Sequence, residues 1–425
     1  MRKLLGSSSR SLHLCILSDR EISEGPHDWG GIQTHTKNLI SLFLREGHAV
    51  SLITREGEEL NNGDLTVIPA IDKRTDGNNK IWYRASADAF LRLHGRKPVD
   101  CTFSEGEAVW GAMKSILEKR IPIVACVHNL RFGHFYDNFQ EVDGLRPLGS
   151  YTCKFVPKLL YGMLTLEIPF LKNCKRIISV SPTVARRIES LYHIPRERIT
   201  VIHNWLSPED GFVFNEAARH EIRKQFGISE NDIIFILVGS LWRPKGFRVV
   251  LRAFEEVLKE VPNSYLFIAG EGVDRDRLFF ENRLKQSKVL TDHVRLLGLY
   301  PRSELPSLLS AADTFIMSSL ANEAFPFTLL EAMSMGLPII ATDTRAHREV
   351  LGNEGFFVKR RDAKSLTRAM ISFASNLAYR KEEAITNNKR ANECFSYELA
   401  AKKINGVISD VMAQSDQGNN SNNNN

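Results

Sequence analysis

Short apolar runs alternate with segments of helical periodicity along the whole of this chain. Such alternation predicts parallel sheets flanked by helices. The predicted strands of the first half are residues 12–17, 50–54, 65–68, 123–127, 176–180 and 200–202. Those of the second half are residues 233–238, 265–269, 294–297, 314–317, 338–342 and 355–358. Two such sets predict an α/β protein with two doubly wound domains.

The boundary between the two domains is predicted at the turn-forming segment 204–211. We therefore expect an N-terminal domain over residues 1–204 and a C-terminal domain over residues 205–396. A last helical stretch covers about residues 397–412. The tail 413–425 is polar and of low complexity, and we expect it to be disordered.

Composition places the chain among globular proteins of a reducing compartment. It has 425 residues, 43% of them hydrophobic, which is enough for two domains of ordinary size. No stretch reads as a signal peptide or as a membrane-spanning helix. The six cysteines are scattered without a Cys-x-x-Cys pair, which favours free thiols in the cytoplasm. We therefore expect a cytoplasmic location.

The formal net charge of +6 is concentrated in the N-terminal half. Its densest part, Arg146 to Arg187, interleaves basic residues with large apolar ones. One interpretation is a surface that rests on anionic lipid head groups at the inner face of the membrane. The other is a solvated basic face over an ordinary core helix. A nucleic-acid partner is not expected.

Two carboxylates give the most informative candidate chemistry. Glu323 is predicted in a loop and Glu331 in the first turn of a short helix, with seven residues between them. Carboxylates so placed can accept hydrogen bonds from the hydroxyl pairs of a sugar or a ribose. The alternative is a structural capping box formed by Thr328 and Glu331.

Three further positions are candidates for binding or catalysis. Gly30 and Gly31 precede a helix, where backbone N–H groups and the helix dipole favour a phosphate, although a tight turn without a ligand explains them too. His128 follows a predicted strand and would face the ligand crevice, unless it is a structural histidine. Lys245 begins a helix, which is unfavourable for the dipole and makes a compensating anion plausible.

The segment from Glu323 onward resembles the signature of the retaining glycosyltransferases of family 4. Their Glu-x7-Glu element runs into Glu-Ala-Met-x-x-Gly-x-Pro and then a hydrophobic strand, as residues 323–343 do here. Other landmarks follow in the expected order over roughly residues 12–405. The resemblance implies the GT-B fold, in which two doubly wound Rossmann-like domains face each other across a cleft. It also implies that the last helix crosses back to the N-terminal domain.

The resemblance implies separate roles for the residues of the second domain. Glu323 would contact donor-sugar hydroxyls, and Glu331 would accept from the ribose hydroxyls. Backbone amides near Phe325, Phe327 and Thr328 would meet the phosphates. The nucleotide base would meet the backbone at Leu299. The resemblance also implies three catalytic residues, which are His128, Lys245 and Glu323.

The chain departs from the family pattern at two places in the second domain. Ser240 occupies the position of an arginine that, with a lysine matched here by Lys245, holds the donor diphosphate. Either Arg243 of the same loop substitutes for it, or the leaving group is less well stabilised. The segment around Arg345 lacks the glycines often found after this strand.

The resemblance implies a retaining hexosyltransferase that needs neither metal nor cofactor. It would move a sugar from a nucleotide-diphospho-sugar to a glycan or lipid-linked acceptor, in the synthesis of a cell-surface polysaccharide or glycolipid. The alternatives are a non-catalytic partner that keeps the fold and binds a sugar nucleotide or glycan, a sugar-nucleotide epimerase, and a phosphorylase.

Overall fold

The computed structural model describes residues 11–20, 30–71, 79–133, 155–241, 243–272, 274–321 and 323–422, and it contains two sheets. The strands of the first sheet are β1 (His13–Ser18), β2 (Ala49–Thr54), β3 (Leu60–Asn61), β4 (Leu65–Pro69), β5 (Cys101–Glu105), β6 (Ile123–Val127), β7 (Arg176–Ser179) and β8 (Ile199–Val201). Their spatial order is β3-β4-β2-β1-β5-β6-β7-β8. All neighbouring pairs are parallel except β3 with β4.

Helices cover both faces of this first sheet. They are α1 (Gly31–Arg45), α2 (Asn79–Arg96), α3 (Met113–Glu118), α4 (Ile168–Asn173) and α5 (Pro182–Tyr192). A π-helical turn, Met163–Glu167, leads directly into α4 within the helical segment 155–173.

The second sheet is entirely parallel, with the order β11-β10-β9-β12-β13-β14. Its strands are β9 (Ile233–Val238), β10 (Ser264–Ala269), β11 (Val294–Gly298), β12 (Thr314–Met317), β13 (Ile339–Thr342) and β14 (Phe356–Val358). The helices of this half are α6 (Glu216–Gln225), α7 (Phe247–Glu260), α8 (Asp274–Lys285), α9 (Lys288–His293), α10 (Leu305–Ala311), α11 (Phe327–Ser334), α12 (Arg345–Leu351), α13 (Ala363–Ser375), α14 (Leu377–Cys394) and α15 (Tyr397–Asn422).

All the predicted strands are present, and β3 and β5 are additional. The prediction missed β5 because Thr102 and Ser104 interrupt its apolar residues. Both polar side chains are nevertheless fully buried in the centre of the sheet. Strand β5 carries Glu105 at its carboxyl end, so the omission also hid a residue of the candidate site.

Helix α15 packs on the first sheet although it follows the second in sequence. Its residues Ala400, Ile404 and Val411 lie in the same hydrophobic cluster as Leu14 of β1. Helix α15 ends at Asn422, inside the tail 413–425, and the disorder expected of that tail stays a prediction. Adding residues to an already formed helix requires no new nucleation, which favours this extension.

The segment after β8 joins the two halves through specific contacts. The Asn204 side-chain Nδ2 donates to the Phe325 carbonyl oxygen at 2.9 Å. The His203 ring stacks on the Phe325 ring, with 5.1 Å between the centroids. In the part of the chain that the structure describes, no helix is both long and apolar enough to cross a membrane.

Candidate active site

Two helix N-termini, one from each half of the molecule, open onto the same cavity. Helix α1 follows Gly30 and helix α11 follows Pro326, and neither terminus has a side-chain cap. A Cβ atom on Gly31 would lie 3.7 Å from Cδ2 of Phe327, so the two helices begin close together. Uncapped N–H groups at helix starts, together with the helix dipoles, form a favourable environment for an anion.

The cavity has a volume of about 190 Å³. We call it the donor cavity, after the predicted donor contacts that line it. Most of the predicted donor contacts line it, namely Gly30, Gly31, Ser240, Lys245, Glu323, Phe325, Phe327, Thr328 and Glu331. Arg243 is exposed, and neither it nor Leu299 is among the lining residues. Their contacts with a donor stay predictions.

A tight loop holds Lys245 at the edge of the donor cavity. Gly246, at the start of α7, has a φ of +74°, and a Cβ atom there would lie 2.0 Å from the Ser318 carbonyl oxygen. Only glycine allows this approach without displacing the backbone. The Ser318 hydroxyl donates to the Lys245 carbonyl oxygen at 2.7 Å. The glycine that follows the lysine therefore sets where the ammonium group stands.

Lys245 and Glu323 form an ion pair inside the donor cavity. The Lys245 Nζ and Glu323 Oε1 atoms are 2.9 Å apart, and the Ser319 hydroxyl donates to the same carboxylate. Burial alone would raise the pKa of Glu323, but Lys245 and the hydrogen bonds outweigh it, so the pKa lies below its ordinary value. Glu323 is therefore an ionised carboxylate at neutral pH that accepts hydrogen bonds and cannot donate them.

Glu331 is paired with Arg302 and does not cap its helix. Its side chain is almost fully buried, and Arg302 Nη1 donates to Glu331 Oε1 at 2.5 Å. The helix begins one residue before Thr328, whose hydroxyl faces the Met317 sulfur. The capping-box interpretation is therefore wrong. Burial raises the pKa of Glu331 more than Arg302 lowers it.

Arg302 is a cation of the donor cavity that sequence reasoning missed. It lies in a short 3₁₀ turn, Arg302–Glu304, after β11, and its Nη2 atom is 3.7 Å from Asp210 Oδ2. The available signal was its place after a strand of the parallel sheet, where ligands usually bind. Lys245 and Arg302 together supply two cations at the cavity, each already paired with a carboxylate.

Phe325 lines the donor cavity but also belongs to the packing between the two halves. Its side chain is 5% exposed and contacts His203 and Phe395. Its carbonyl oxygen is occupied by Asn204. This residue therefore fixes the position of the loop that carries Glu323.

His128 belongs to a buried network at the carboxyl edge of the first sheet. Its Nε2 lies 2.6 Å from Glu105 Oε2, and His35 Nδ1 lies 2.8 Å from Glu105 Oε1. Thr36 donates to the same carboxylate at 3.1 Å. The donor atoms of the three titratable groups lie within 4.8 Å of one another. The two hydrogen bonds from the imidazoles satisfy both carboxylate oxygens without an ion.

The network fixes the proton on the His128 ring. Burial outweighs the attraction of Glu105 and lowers the pKa of His128, so the ring is neutral at neutral pH. Glu105 is held ionised, because the histidines lower its pKa to about 2 despite its burial. An ionised carboxylate only accepts, so Nε2 of His128 carries the hydrogen and Nδ1 has the lone pair.

A second cavity of about 360 Å³ lies beside this network in the N-terminal half. Glu107 and Arg131 both line it and form a bidentate ion pair, with 2.9 Å between Arg131 Nε and Glu107 Oε1. The buried Glu167 accepts from Tyr192 and from the Arg131 amide. Burial raises the pKa of Glu167 to about 7. Carboxylates, guanidinium groups and the aromatic Trp82 and Tyr83 give this N-terminal cavity a polar lining suited to hydroxyl groups.

Comparisons with known proteins match both halves of the chain. The sequence model described as Glycosyltransferase Family 4 matches residues 29–210, and the one described as Glycosyl transferases group 1 matches residues 218–392. An uncharacterized glycosyltransferase of Methanocaldococcus jannaschii is 25% identical over 408 residues, which cover 91% of this chain and 96% of that protein.

Two further likenesses bear on lipids and on nucleotide sugars. One component of the phosphatidylinositol N-acetylglucosaminyltransferase of Arabidopsis thaliana is 28% identical over 388 residues, covering 88% of this chain and 78% of that one. The crystal structure of Anabaena HepE in complex with UDP-glucose matches with a TM-score of 0.69 at 15% identity, covering 94% of this chain and 100% of that one. The second likeness concerns the fold alone.

Proposed function

We propose a reaction from the premise that this chain is a glycosyltransferase that belongs to family 4 and has the GT-B fold, as its sequence predicted. The proposed reaction moves a hexose from a nucleotide-diphospho-sugar to a glycan or lipid-linked acceptor, with retention of the anomeric configuration. The donor would bind mainly against the C-terminal domain, 205–396, and the acceptor against the N-terminal domain, 1–204.

The observation that carries this proposal is the composition of the donor cavity. Two uncapped helix N-termini and two basic side chains, Lys245 and Arg302, surround one space. Two carboxylates, the half-buried Glu323 and the buried Glu331, line the same space. A diphosphate fits the first set of groups, and hydroxyl pairs of a sugar and a ribose fit the second. In solved structures, UDP-glucose is bound by the protein HepE.

The ion pair between Lys245 and Glu323 could rearrange when the donor binds. Without a ligand, Lys245 is held by Glu323. An incoming diphosphate would attract the ammonium group and release the Glu323 oxygen that it occupies. That oxygen could then accept from a hydroxyl of the donor sugar. Negative charge growing on the leaving diphosphate would be stabilised mainly by Lys245 and the helix N-termini, because Ser240 carries no charge.

The role proposed for His128 follows from its ring nitrogens. Nε2 is committed to Glu105, so only Nδ1 remains to contact a substrate. A neutral imidazole with a lone pair on Nδ1 accepts a hydrogen bond from a sugar hydroxyl. No side chain of the donor cavity is singled out as a covalent nucleophile. Retention and metal independence are inherited from family membership in this proposal.

The acceptor side of the proposal rests on the N-terminal cavity and on the segment beside it. Within the helical segment 155–173, the apolar side chains of Phe155, Leu160, Tyr161 and Leu164 are 45% to 69% exposed. Exposed lysines accompany them, and Glu167 of the same segment lines the N-terminal cavity. An apolar and basic surface of this kind suits an anionic membrane. We propose that the protein works on the cytoplasmic face of a membrane and takes a lipid-linked acceptor from it.

Only part of the predicted basic region supports this membrane contact. Residues 134–154 lie outside the described residues, and the proposed membrane contact rests on residues 155–187 alone. The name of the Arabidopsis relative describes transfer to phosphatidylinositol, a membrane lipid. A membrane lipid or a lipid-linked glycan would likewise be the acceptor proposed for this chain, in the synthesis of a glycolipid or of a cell-surface polysaccharide.

Turnover of the donor tests the proposal. UDP-glucose, GDP-mannose and ADP-glucose are incubated with the protein in EDTA, and free nucleoside diphosphate is measured with and without membrane lipid extract. Release of one diphosphate that the extract accelerates, and that Lys245→Ala abolishes, is the expected result. NMR of the product would then report the anomeric configuration. Tight donor binding without any turnover would instead favour a non-catalytic partner, for which Ser240 is the supporting feature.

A further inference from the structure

A third cavity, of about 390 Å³, lies between the two halves next to the donor cavity. Glu323 lines both cavities, so the third one begins where the donor sugar is proposed to lie. Arg187 of α5 lines it from the N-terminal half, and Arg345 of α12 and Arg360 line it from the C-terminal half. We call this space the arginine cavity.

The arginine cavity carries an excess of positive charge. Glu323 and Asp343 are the acids of its lining, and each is bound to a cation outside the lining. Glu323 pairs with Lys245 at 2.9 Å, and Asp343 accepts from Arg348 Nε and Nη2 at 2.6 and 2.8 Å. Both carboxylates are therefore already compensated before the lining arginines are counted.

Two arginines of the lining, one from each wall, are not neutralised in the same way. Among the described residues, neither Arg187 nor Arg345 forms an ion pair with a carboxylate. Their neighbours Arg186 and Arg348 pair with Glu349 and Asp343 instead. Arg360 adds a third guanidinium group, which donates from Nη1 to the Leu320 carbonyl oxygen at 3.2 Å. Guanidinium groups from opposite walls thus line one space, and an anion that enters it would be attracted by both walls.

We propose that the arginine cavity binds a phosphate group of the acceptor substrate. Guanidinium groups bind phosphate oxygens through paired hydrogen bonds, and they do so better than ammonium groups because the donors form a rigid fork. This inference rests on the proposed function, since it assigns the phosphate to the molecule that receives the sugar. The donor diphosphate has its own site at Lys245 and the helix N-termini.

Position also favours the acceptor over the donor as the source of this phosphate. Arg187 belongs to the domain that is proposed to hold the acceptor, whereas Arg345 belongs to the domain of the donor. A phosphate bridging them would draw the two walls together only when the acceptor is present. The phosphate would stand beyond Glu323, which lines both the donor cavity and the arginine cavity.

Binding of small phosphate compounds tests the inference directly. Glucose 6-phosphate, glucuronate and glucose are titrated calorimetrically into the wild-type protein with and without saturating UDP, GDP or ADP. We expect glucose 6-phosphate to bind and glucose not to. Arg345→Ala and Arg187→Ala should each weaken its binding by about tenfold or more, as the loss of a hydrogen bond between charged groups does. Arg368→Ala, which removes an exposed arginine outside the cavity, is the matched control and should leave binding unchanged.

Vesicles distinguish a soluble phosphate from a lipid one. Phosphatidylinositol and diacylglycerol are compared in otherwise neutral vesicles, with the same variants. Preference for phosphatidylinositol that Arg345→Ala removes supports a lipid source, and binding of glucose 6-phosphate with the same dependence supports a soluble one. The inference is overturned if neither probe depends on Arg345 or Arg187, or if glucuronate binds as tightly as glucose 6-phosphate.

The two proposals fail in different ways. If no nucleoside diphosphate binds, the donor site and the proposed function are wrong, whatever the phosphate compounds do. If a nucleoside diphosphate binds and turns over but the arginine variants bind phosphate compounds like the wild type, only the arginine cavity has been misassigned. A loss confined to Lys245→Ala would place the phosphate compound in the donor cavity and would also overturn the inference.

Discussion

The ion pair between Arg302 and Glu331 allows a prediction about stability and ligand binding together. Glu331 is 1% exposed, and the side chain of Arg302 is 23% exposed. Removing one member of a fully buried pair typically costs about 3–5 kcal/mol, because the other charge is left uncompensated. Arg302 keeps some access to water and has Asp210 within 3.7 Å. We therefore expect Glu331→Ala to lower the free energy of unfolding by roughly 2–3 kcal/mol.

The same pair predicts strong coupling between the two substitutions. Arg302→Met combined with Glu331→Leu removes both charges and keeps apolar volume, so it should cost about 1 kcal/mol or less. Urea unfolding followed by circular dichroism measures each free energy, with slopes compared to exclude a change in the denatured state. The single variants Arg302→Met and Glu331→Leu complete the double-mutant cycle, and the expected coupling energy is about 2 kcal/mol. Costs that add within roughly 0.5 kcal/mol would refute the claim that the two residues act as a pair.

Nucleotide affinity separates the structural role of Glu331 from its binding role. Glu331→Gln keeps a single acceptor oxygen, which Arg302 and a ribose hydroxyl would have to share, and we expect its affinity for the nucleoside diphosphate to fall by about tenfold. Arg302→Met combined with Glu331→Leu should fold and lose nucleotide binding altogether. Full affinity in that stable double variant would show that the ribose does not contact this pair.

Three other predictions use different groups. Lys245→Met should lower kcat by about 10²–10³-fold, with Ser240→Ala as a control that changes kcat by less than tenfold, and equal effects would contradict the assignment of leaving-group charge to Lys245. Glu105→Gln should invert the tautomer of His128, because an amide oxygen and an amide N–H replace the two acceptor oxygens of the carboxylate. ¹⁵N NMR of the imidazoles measures the tautomer. An unchanged tautomer with normal kcat would contradict the role of Glu105 in positioning His128. Glu167 has a pKa of about 7 in the folded protein and an ordinary value of 4.5, so its contribution to stability is full below pH 4.5 and is lost as the pH rises to 7. In Glu167→Gln, the free energy of unfolding should lose roughly 3 kcal/mol of its change between pH 4.5 and 7. The same dependence of the unfolding free energy on pH in the variant and the wild type would show that the pKa of Glu167 is not raised.

Local patterns were sufficient to predict most strands of both sheets and several residues that line one cavity. Buried strands of parallel sheets are apolar runs, so β9 or β13 can be recognised from a few adjacent letters. Glu323, Glu331 and Lys245 occur within short motifs that adjoin such runs, and the structure brings all three to one cavity. These are properties of neighbouring residues, which a sequence displays directly.

Contacts between distant residues account for what was missed. Glu105 is the last residue of a strand that polar residues made hard to recognise, and its partners His35 and His128 are 70 and 23 residues away. Arg302 is 29 residues from Glu331, and nothing in its own segment announces that pairing. The capping box was predicted because Thr328 and Glu331 have the right spacing, but the tertiary ion pair with Arg302 takes the carboxylate instead.

The donor cavity is proposed to bind the diphosphate of a nucleotide sugar without a metal ion. Calorimetric titration with UDP, GDP and ADP in the presence of EDTA tests it most directly, with NAD as a comparison and Lys245→Ala as the variant. We expect micromolar binding of one nucleoside diphosphate, weakened at least tenfold by Lys245→Ala, and no binding of NAD. Absence of binding by all three diphosphates, or binding that Lys245→Ala leaves unchanged, would contradict it.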